Sequence, residues 1–480
     1  MPLPAWRIGL VEGLSSPRGK GISGMQLSHT QAAMSAVFDE PNLVSAAGLV
    51  PLLQLAWSAG LHRLADEHLS VPTDKGANAG LKVASLVAGM AAGADSIDDM
   101  RLLRHGGMRR VFTGGYAPST LGSFLRSFTF GHVRQLDAVA SRFLSALAVR
   151  APLLGAGPVL VDLDDTIVEV HGYAKQGAAF GYSKVRGLNA LLATATTAES
   201  APVIVASRLR RGSCGSPRGA KRLVADTLKI VSRLATGRPV LLRADSAFYG
   251  SDTIGCAVRC GAQVSVTVRQ DVRVRAAIAG VADDAWTPIA YRQAVFDEAT
   301  DRWVSRAEVA ETPFVAFASR PAAQQVPGRL IIRRIPELNP TGQDGLFDVW
   351  RFHAFFTTSS LNTVAADKTH RGHAIIEQVH ADLKNSALAH LPSGKFAANA
   401  AWLVLAVIAF NLTRAAATLT GPALSKAATA TIRRTLIAVP ARVATSARRL
   451  RLHLPSGWPW QQAWTALFTR ACGPPDAVAT

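Results

Sequence analysis

Three stretches of the chain carry acidic residues in settings where a carboxylate can do chemistry. VLVDLDDT, residues 159–166, holds Asp162 and Asp164; LLRADSAFY, residues 241–249, is a short apolar run that ends on Asp245; and HRGHAIIEQVHADLK, residues 370–384, holds Glu377. A lone Glu on a helix is ordinarily a solvated residue. The two earlier acidic stretches are what call for a third carboxylate. Hard divalent cations take oxygen ligands, and Mg²⁺ keeps positions open for water and phosphate, so three such carboxylates make a pocket for two Mg²⁺ ions. Two ions about 4 Å apart clamp the attacking and leaving oxygens of an in-line displacement at phosphorus.

The elements that must position these groups follow from periodicity. From Pro158 the apolar period is two, so Val159, Val161 and Leu163 alternate with Leu160, Asp162 and Asp164. Both acids then share one face of a strand that ends at Asp165-Thr166. Further strands are expected at Leu188 to Thr196, Pro202 to Arg208, Pro239 to Ala244 and Val264 to Val268, with helices from Lys221 to Leu234 and Asp252 to Cys260. Strand ends bearing carboxylates in a mixed strand and helix order predict an α/β fold with the site along one sheet edge. At about 100° per residue, Ile375, Ile376, Val379 and Leu383 share one face of the third stretch. His370, His373, Glu377, His380 and Lys384 share the opposite one.

The remainder of the chain divides around this core. Residues 1–24 read as a loose leader, possible as an upstream start before Met25, and 25–150 as a separate all-helical domain. In that domain a short helix over Ile97 to Leu103 and another from Pro118 place Arg126, with Arg109 and Arg110, where they could meet DNA; an ordinary bundle with a basic surface fits equally. Residues 151–270 form the first part of the core, 271–347 a β-rich insertion, 348–420 the second part and 421–480 a basic tail. The insertion carries strand-like pieces at Arg302 to Val309, Phe314 to Ala318 and Leu330 to Ile335. Ala400 to Leu412 is an apolar run too short to span a membrane and reads as a buried core helix.

Charge narrows the partner. The 480 residues carry 52 Lys plus Arg against 33 Asp plus Glu, a formal net charge of +19, which points to a polyanion and first to nucleic acid. Arg residues are spread along the chain, not gathered on one amphipathic helix, and this excludes a membrane-surface reading. Four Cys make no disulfide framework, and Cys256-x3-Cys260 has no second pair to complete a zinc site. The expected setting is a reduced cytoplasm, with the protein at the bacterial nucleoid.

VDLDDT, GYSKVRGLNALL (181–192), LRRGS (209–213), RADSAFY and HRGHAIIEQVHADLK, taken in order, resemble the motif series of the ribonuclease H-like DDE transposases of bacterial insertion sequences, within them the insertion-sequence thirteen-eighty group. The resemblance implies a ribonuclease H-like mixed sheet and a transposase that cleaves and transfers DNA strands. It implies Asp164, Asp245 and Glu377 as catalytic metal ligands for two Mg²⁺ ions, for which Mn²⁺ substitutes. It implies as partners the terminal inverted repeats and target DNA, with a homodimer bridging two ends. The related Tyr-x2-Arg-x3-Glu-x6-Lys signature is kept at Glu377 and Lys384, while His370 and His373 stand in place of Tyr and Arg. Lys384, Arg371 and His373 are therefore the DNA-contact positions on this helix, although Arg371 is turned about 160° from His373 on the wheel. Trp303, in the insertion, is the position at which an aromatic would stack on a flipped base. Asp162 stands as a supporting group or as the first ligand itself.

Two other readings compete. VDLDDTI also fits the opening of haloacid-dehalogenase-like phosphatases, with Asp162 as nucleophile, but Asp245 and Asp252 are seven apart and do not complete that pattern. A DNA-binding protein from a decayed element, without catalysis, fits the charge equally well.

Overall fold

Helices and strands of the computed structural model follow the apolar periodicity closely. The structure describes residues 28–473 except 31–32, 290–294, 298–301, 305–306, 337–349 and 447–448, and side chains at 73, 295–297, 302–304 and 336 are not described either. Residues 1–24 thus lie outside the described residues. Residues 1–40 form one unit, of which 28–30 and 33–40 are loop, and residues 41–480 form the other.

The second unit begins with helices α1 (Leu49–Ser58), α2 (Leu61–His68), α3 (Ala79–Ala92), α4 (Pro118–Arg126) and α5 (Phe130–Arg150). Pro118 stands in the first turn of α4, where its missing N–H costs nothing. Thr129 and His132 form a capping box that starts α5. Core strands and helices follow: β1 (Val159–Glu169), β2 (Arg186–Thr196), β3 (Val203–Arg211), α6 (Ala220–Leu234), β4 (Val240–Ala244), α7 (Ser251–Arg259), β5 (Gln263–Thr267) and α8 (Val272–Ala279). Then come β6 (Ala307–Ala316), β7 (Val326–Pro336), β8 (Trp350–Thr357), α9 (Thr363–Arg371), α10 (Ile375–Lys384) and α11 (Phe396–Thr420). A hairpin of β9 (Ala441–Ser446) and β10 (Arg449–His453) precedes α12 (Gln461–Cys472).

β2 is antiparallel to both β1 and β3, while β4 runs parallel to β1 and β5 parallel to β4. The order β3-β2-β1-β4-β5, with only the second strand reversed, is a ribonuclease H-like mixed sheet. Every residue of β2 after Arg186 is buried, as a central strand covered on both faces requires. α6, α7, α11 and α5 pack around the sheet.

Several expectations change at this level. β1 does not end at Thr166 but continues to Glu169, because β2 pairs with it as far as Gly187. The insertion is β-rich but opens with α8, capped by the Asp271 carboxylate. Strand β6 takes the end of one predicted piece and the start of the next, while Arg302–Val304 forms a short strand of its own, and β6 and β7 continue the central sheet through β8, which lies antiparallel to β5. The helical segment before residue 150 shares one buried core with the sheet instead of standing apart; Phe143 and Leu147 of α5 belong to it along with Val404 and Ile408 of α11. The described part of the tail packs on the body, with Leu436, Trp464 and Leu467 buried.

α11 is longer than the apolar run that announced it. Its 25 residues are long and apolar enough to cross a membrane by length and composition, yet it is buried among the other helices as the core element that was expected. Trp402, in its second turn, is completely buried, and its indole N–H donates to the Ala387 carbonyl at 2.6 Å. Trp402→Ala removes a large core side chain and leaves that carbonyl without its donor, so unfolding in urea should show a loss of roughly 3–5 kcal/mol. Val149→Ala, at an exposed position of α5, should change stability by less than about 0.5 kcal/mol in the same titration.

Candidate active site

Parallel pairing of β1 with β4 sets the site. Asp162 lies opposite Arg243 and Leu163 opposite Ala244, so the next rung places Asp164 beside Asp245 at the ends of that pairing. Because side chains alternate, the Asp162 and Arg243 rung faces the same side as the Asp164 and Asp245 rung, about 6.6 Å deeper along the strands. One rung is closed by its own charges; the other is open.

The inner rung is a buried clamp. Asp162 is 0% exposed and Arg243 2%, and the guanidinium donates Nε and Nη2 to the two carboxylate oxygens, each at 2.7 Å. Arg243 Nη1 also donates to the Thr369 carbonyl of α9 at 2.5 Å, and His373 Nδ1 lies 2.9 Å from Asp162 Oδ1. The clamp therefore ties β1 and β4 to the turn Gly372–Ala374 that joins α9 to α10. A Cβ on Gly372 would stand 2.8 Å from Arg243 Nη1, so only glycine lets this turn approach the guanidinium.

The outer rung opens on a cleft of about 1030 Å³ lined by Asp164, Asp165, Asp245, Arg269 and Lys384, with the loop from Gly212 to Pro217 as another wall. Asp245 Oδ1 accepts the Ala247 N–H at 3.0 Å, and burial, then the neighbouring Asp164, raises its carboxyl above the ordinary value. Partial desolvation lowers the Lys384 ammonium, against the pull of Asp164. His380 is buried with Nε2 3.3 Å from Asp164 Oδ2, but neither ring nitrogen makes a hydrogen bond among the described residues.

Asp165 is structural. Its carboxylate accepts from Asn189 Nδ2 at 2.9 Å and Ser216 Oγ at 3.1 Å and pairs with Arg210, which also donates Nη1 to the Ser216 and Arg218 carbonyls at 2.8 and 2.7 Å. This network holds the Gly212–Pro217 wall, and it explains why Asn189 and Arg210 stand in the GLNALL and LRRGS motifs.

On the third stretch the structure divides the predicted face. α9 ends at Arg371 and α10 restarts at Ile375, so His370 does not share the face of Glu377. The His370 ring stacks on Phe355 at 4.0 Å, with its nitrogens 2.9 and 3.0 Å from the hydroxyls of Ser265 and Thr267. Burial, with His373 and Arg243 nearby, lowers it to about 3. His373 is not free for phosphate, because it is spent on Asp162. Arg371 donates Nε to the buried Asp367 at 2.8 Å, an intramolecular role in place of the expected DNA contact. One residue of the polar face is covered: His380 is buried against β1, although the wheel leaves it outward.

Lys384 lines the same cleft as Asp164 and Asp245. Glu377 lies between His373 and His380 in sequence, but it is exposed and does not line the cleft. Among the described residues no three His, Cys, Asp or Glu side chains converge on one metal position. Asp162 is excluded as first ligand and as a phosphatase nucleophile by the same fact, since both its oxygens are held by Arg243 away from solvent. Arg126 is exposed at the end of α4, with Nη2 on Ser123 Oγ at 3.2 Å, and is not part of the cleft wall. Trp303 falls in a short strand, Arg302–Val304, and its side chain lies outside the described residues.

A family profile described as Transposase DDE domain group 1 matches residues 28–471. The chain belongs to the DDE transposase family. Solved structures that match include a piggyBac transposase synaptic complex with hairpin DNA, at 10% identity and a TM-score of 0.36, covering 85% of this chain and 73% of that one. That likeness is too loose to assign a role to any residue. No curated protein sequence matches the chain.

The donor set at the outer rung suits a divalent cation. Mg²⁺ is commonly held by one or two carboxylates with substrate phosphate completing its shell, and Asp164 with Asp245 are two adjacent carboxylates open to a cleft. A bound cation relieves the repulsion that helps raise Asp245.

Two outcomes test the clamp. Arg243→Met leaves Asp162 buried without its partner and should cost roughly 3–5 kcal/mol in urea unfolding, whereas adding Asp162→Asn should recover part of that loss. Protonation tests the His370 pocket. A folded-state value of about 3 against the ordinary 6.5 means that the unfolded chain takes the proton first, so this contribution is fully present above 6.5 and is lost as pH falls toward 3. Thermal melting at pH 7 and pH 4.5 should show a smaller drop for His370→Asn than for the unaltered protein.

Proposed function

We propose that the protein is a transposase of an insertion sequence of the thirteen-eighty group, acting on the terminal inverted repeats of its own element. The observation that carries this reading is the pair Asp164 and Asp245, side by side at the open rung of a ribonuclease H-like sheet, with Lys384 on the same cleft.

Asp164 and Asp245, with Glu377 as third donor, are the residues that would hold the metal. Two Mg²⁺ ions held there, or Mn²⁺ in their place, would supply Lewis acidity at the scissile phosphate and would lower the pKa of the attacking oxygen. Lys384 holds a non-bridging phosphate oxygen, and the Gly212–Pro217 wall confines the strand. Water attacks phosphorus in line, the P–O3′ bond breaks, and a 3′ hydroxyl and a 5′ phosphate result. That hydroxyl then attacks a phosphodiester of target DNA, forming one P–O bond as another breaks. Positioning and charge neutralisation carry both steps. His380 packs against Asp164 and limits its rotation. A homodimer holding two element ends fits paired cleavage.

Strand cleavage of a duplex bearing the terminal repeat checks the residue roles. Asp164→Asn, Asp245→Asn and Glu377→Gln should each lower Mg²⁺-dependent nicking about a hundredfold or more while end binding persists. A Glu377→Gln protein that nicks at the original rate would remove Glu377 from the ligand set. An unaltered protein that binds ends but never nicks would be the inactive product of a decayed element.

A further inference from the structure

The charge of +19 is not spread evenly around the cleft. Beyond the Gly212–Pro217 wall lies a second concavity of about 770 Å³, which shares Ser213 and Cys214 with the cleft. It is lined by Arg211, Arg218 and Arg222 among others. A third, of about 280 Å³, shares Arg134 and Arg208 with the second and carries Arg142, Lys229 and Arg233. The three therefore run one into the next along the seam between α5 and α6.

Charge along this seam is sorted. Its acids are consumed internally: Asp137 and Asp226 are both paired with Arg134 and Arg208, at 2.7 to 3.5 Å. The cations further out are not. Arg222, Lys229 and Arg233 are exposed, and among the described residues none has an acidic partner. At positions i, i+7 and i+11 they fall within about 40° on one stripe of α6. From Arg222 to Arg233 the helix rises about 16 Å at 1.5 Å per residue. At 3.4 Å per nucleotide along a duplex strand, that is about five phosphates. Burial lowers the Arg208 guanidinium, while Asp137 and Asp226 pull it back up against Arg134 and Arg222.

We infer that the α5–α6 seam is the track for DNA leaving the cleft, with Arg222, Lys229 and Arg233 each on a phosphate of one strand, about three and then two phosphates apart. This rests on the transposase reading of the cleft and adds a path to it. The contacts are to backbone, so they give affinity and register but no sequence preference.

Binding of a mixed-sequence 40-base-pair duplex, followed by fluorescence anisotropy across a KCl series, tests the track on the full chain. The variant carries Arg222→Gln, Lys229→Gln and Arg233→Gln. A control carries Arg442→Gln, Arg449→Gln and Arg451→Gln, which removes the same charge from the exposed β9–β10 hairpin. Each phosphate contact contributes about 0.9 to the slope of log K against log salt. The seam variant should therefore lose up to about 2.7 of slope, and the control much less. An unchanged slope in the seam variant, or equal losses in both, would overturn the track. Failure of the unaltered protein to bind DNA at all would overturn the transposase reading with it. Circular dichroism of both variants confirms that the fold is retained.

Discussion

A carboxylate and a guanidinium withdrawn from water must satisfy each other, because neither has solvent to fall back on. Asp162 and Arg243 do so across neighbouring parallel strands, and the rest of the guanidinium reaches the Thr369 carbonyl in the next layer. Three consequences follow from that one pair. It fixes the register in which Asp164 meets Asp245, it seats the turn at Gly372, and through His373 it sets where α10 starts. Glu377 is one helical turn, about 6 Å, beyond His373. The clamp does no chemistry itself, yet every group around the cleft is measured from it.

The open rung has the opposite character. Burial, and then the neighbouring Asp164, disfavours the charge of Asp245. An arrangement of that kind is costly unless a cation shares it. Lys384 supplies part of the compensation from α10, and the cleft leaves room for more. Around it the protein is strongly basic, with a formal net charge of +19.

Much of this was legible in the sequence, for a physical reason. Alternation in VLVDLDDT places Asp162 and Asp164 on one face, and the run before Asp245 announces a second strand end, so both acids and their strands were readable from local pattern. What alternation does not carry is which strand lies beside which. The pairing of Asp162 with Arg243, and hence the difference between a buried acid and an available one, depends on a parallel register between segments 81 residues apart. The helical wheel failed at Gly372 in the same way: it assumes an unbroken helix, whereas the approach of Arg243 requires a turn there, and this removes His370 from the face of Glu377. The insertion was legible as strands but not as an extension of the central sheet, since edge pairing leaves little trace in composition. Asn189 and Arg210 stood in visible motifs, but only the fold shows that they hold Asp165 and the cleft wall.

The most direct test of the account is where a divalent ion sits. Crystals grown with Mn²⁺ and a terminal-repeat duplex would locate it by anomalous scattering. The account predicts a peak within coordination distance, about 2 to 2.3 Å, of oxygens from both Asp164 and Asp245, with Asp162 still bound to Arg243. A peak on Asp162, or an ion held away from the Asp164 and Asp245 rung, would contradict it.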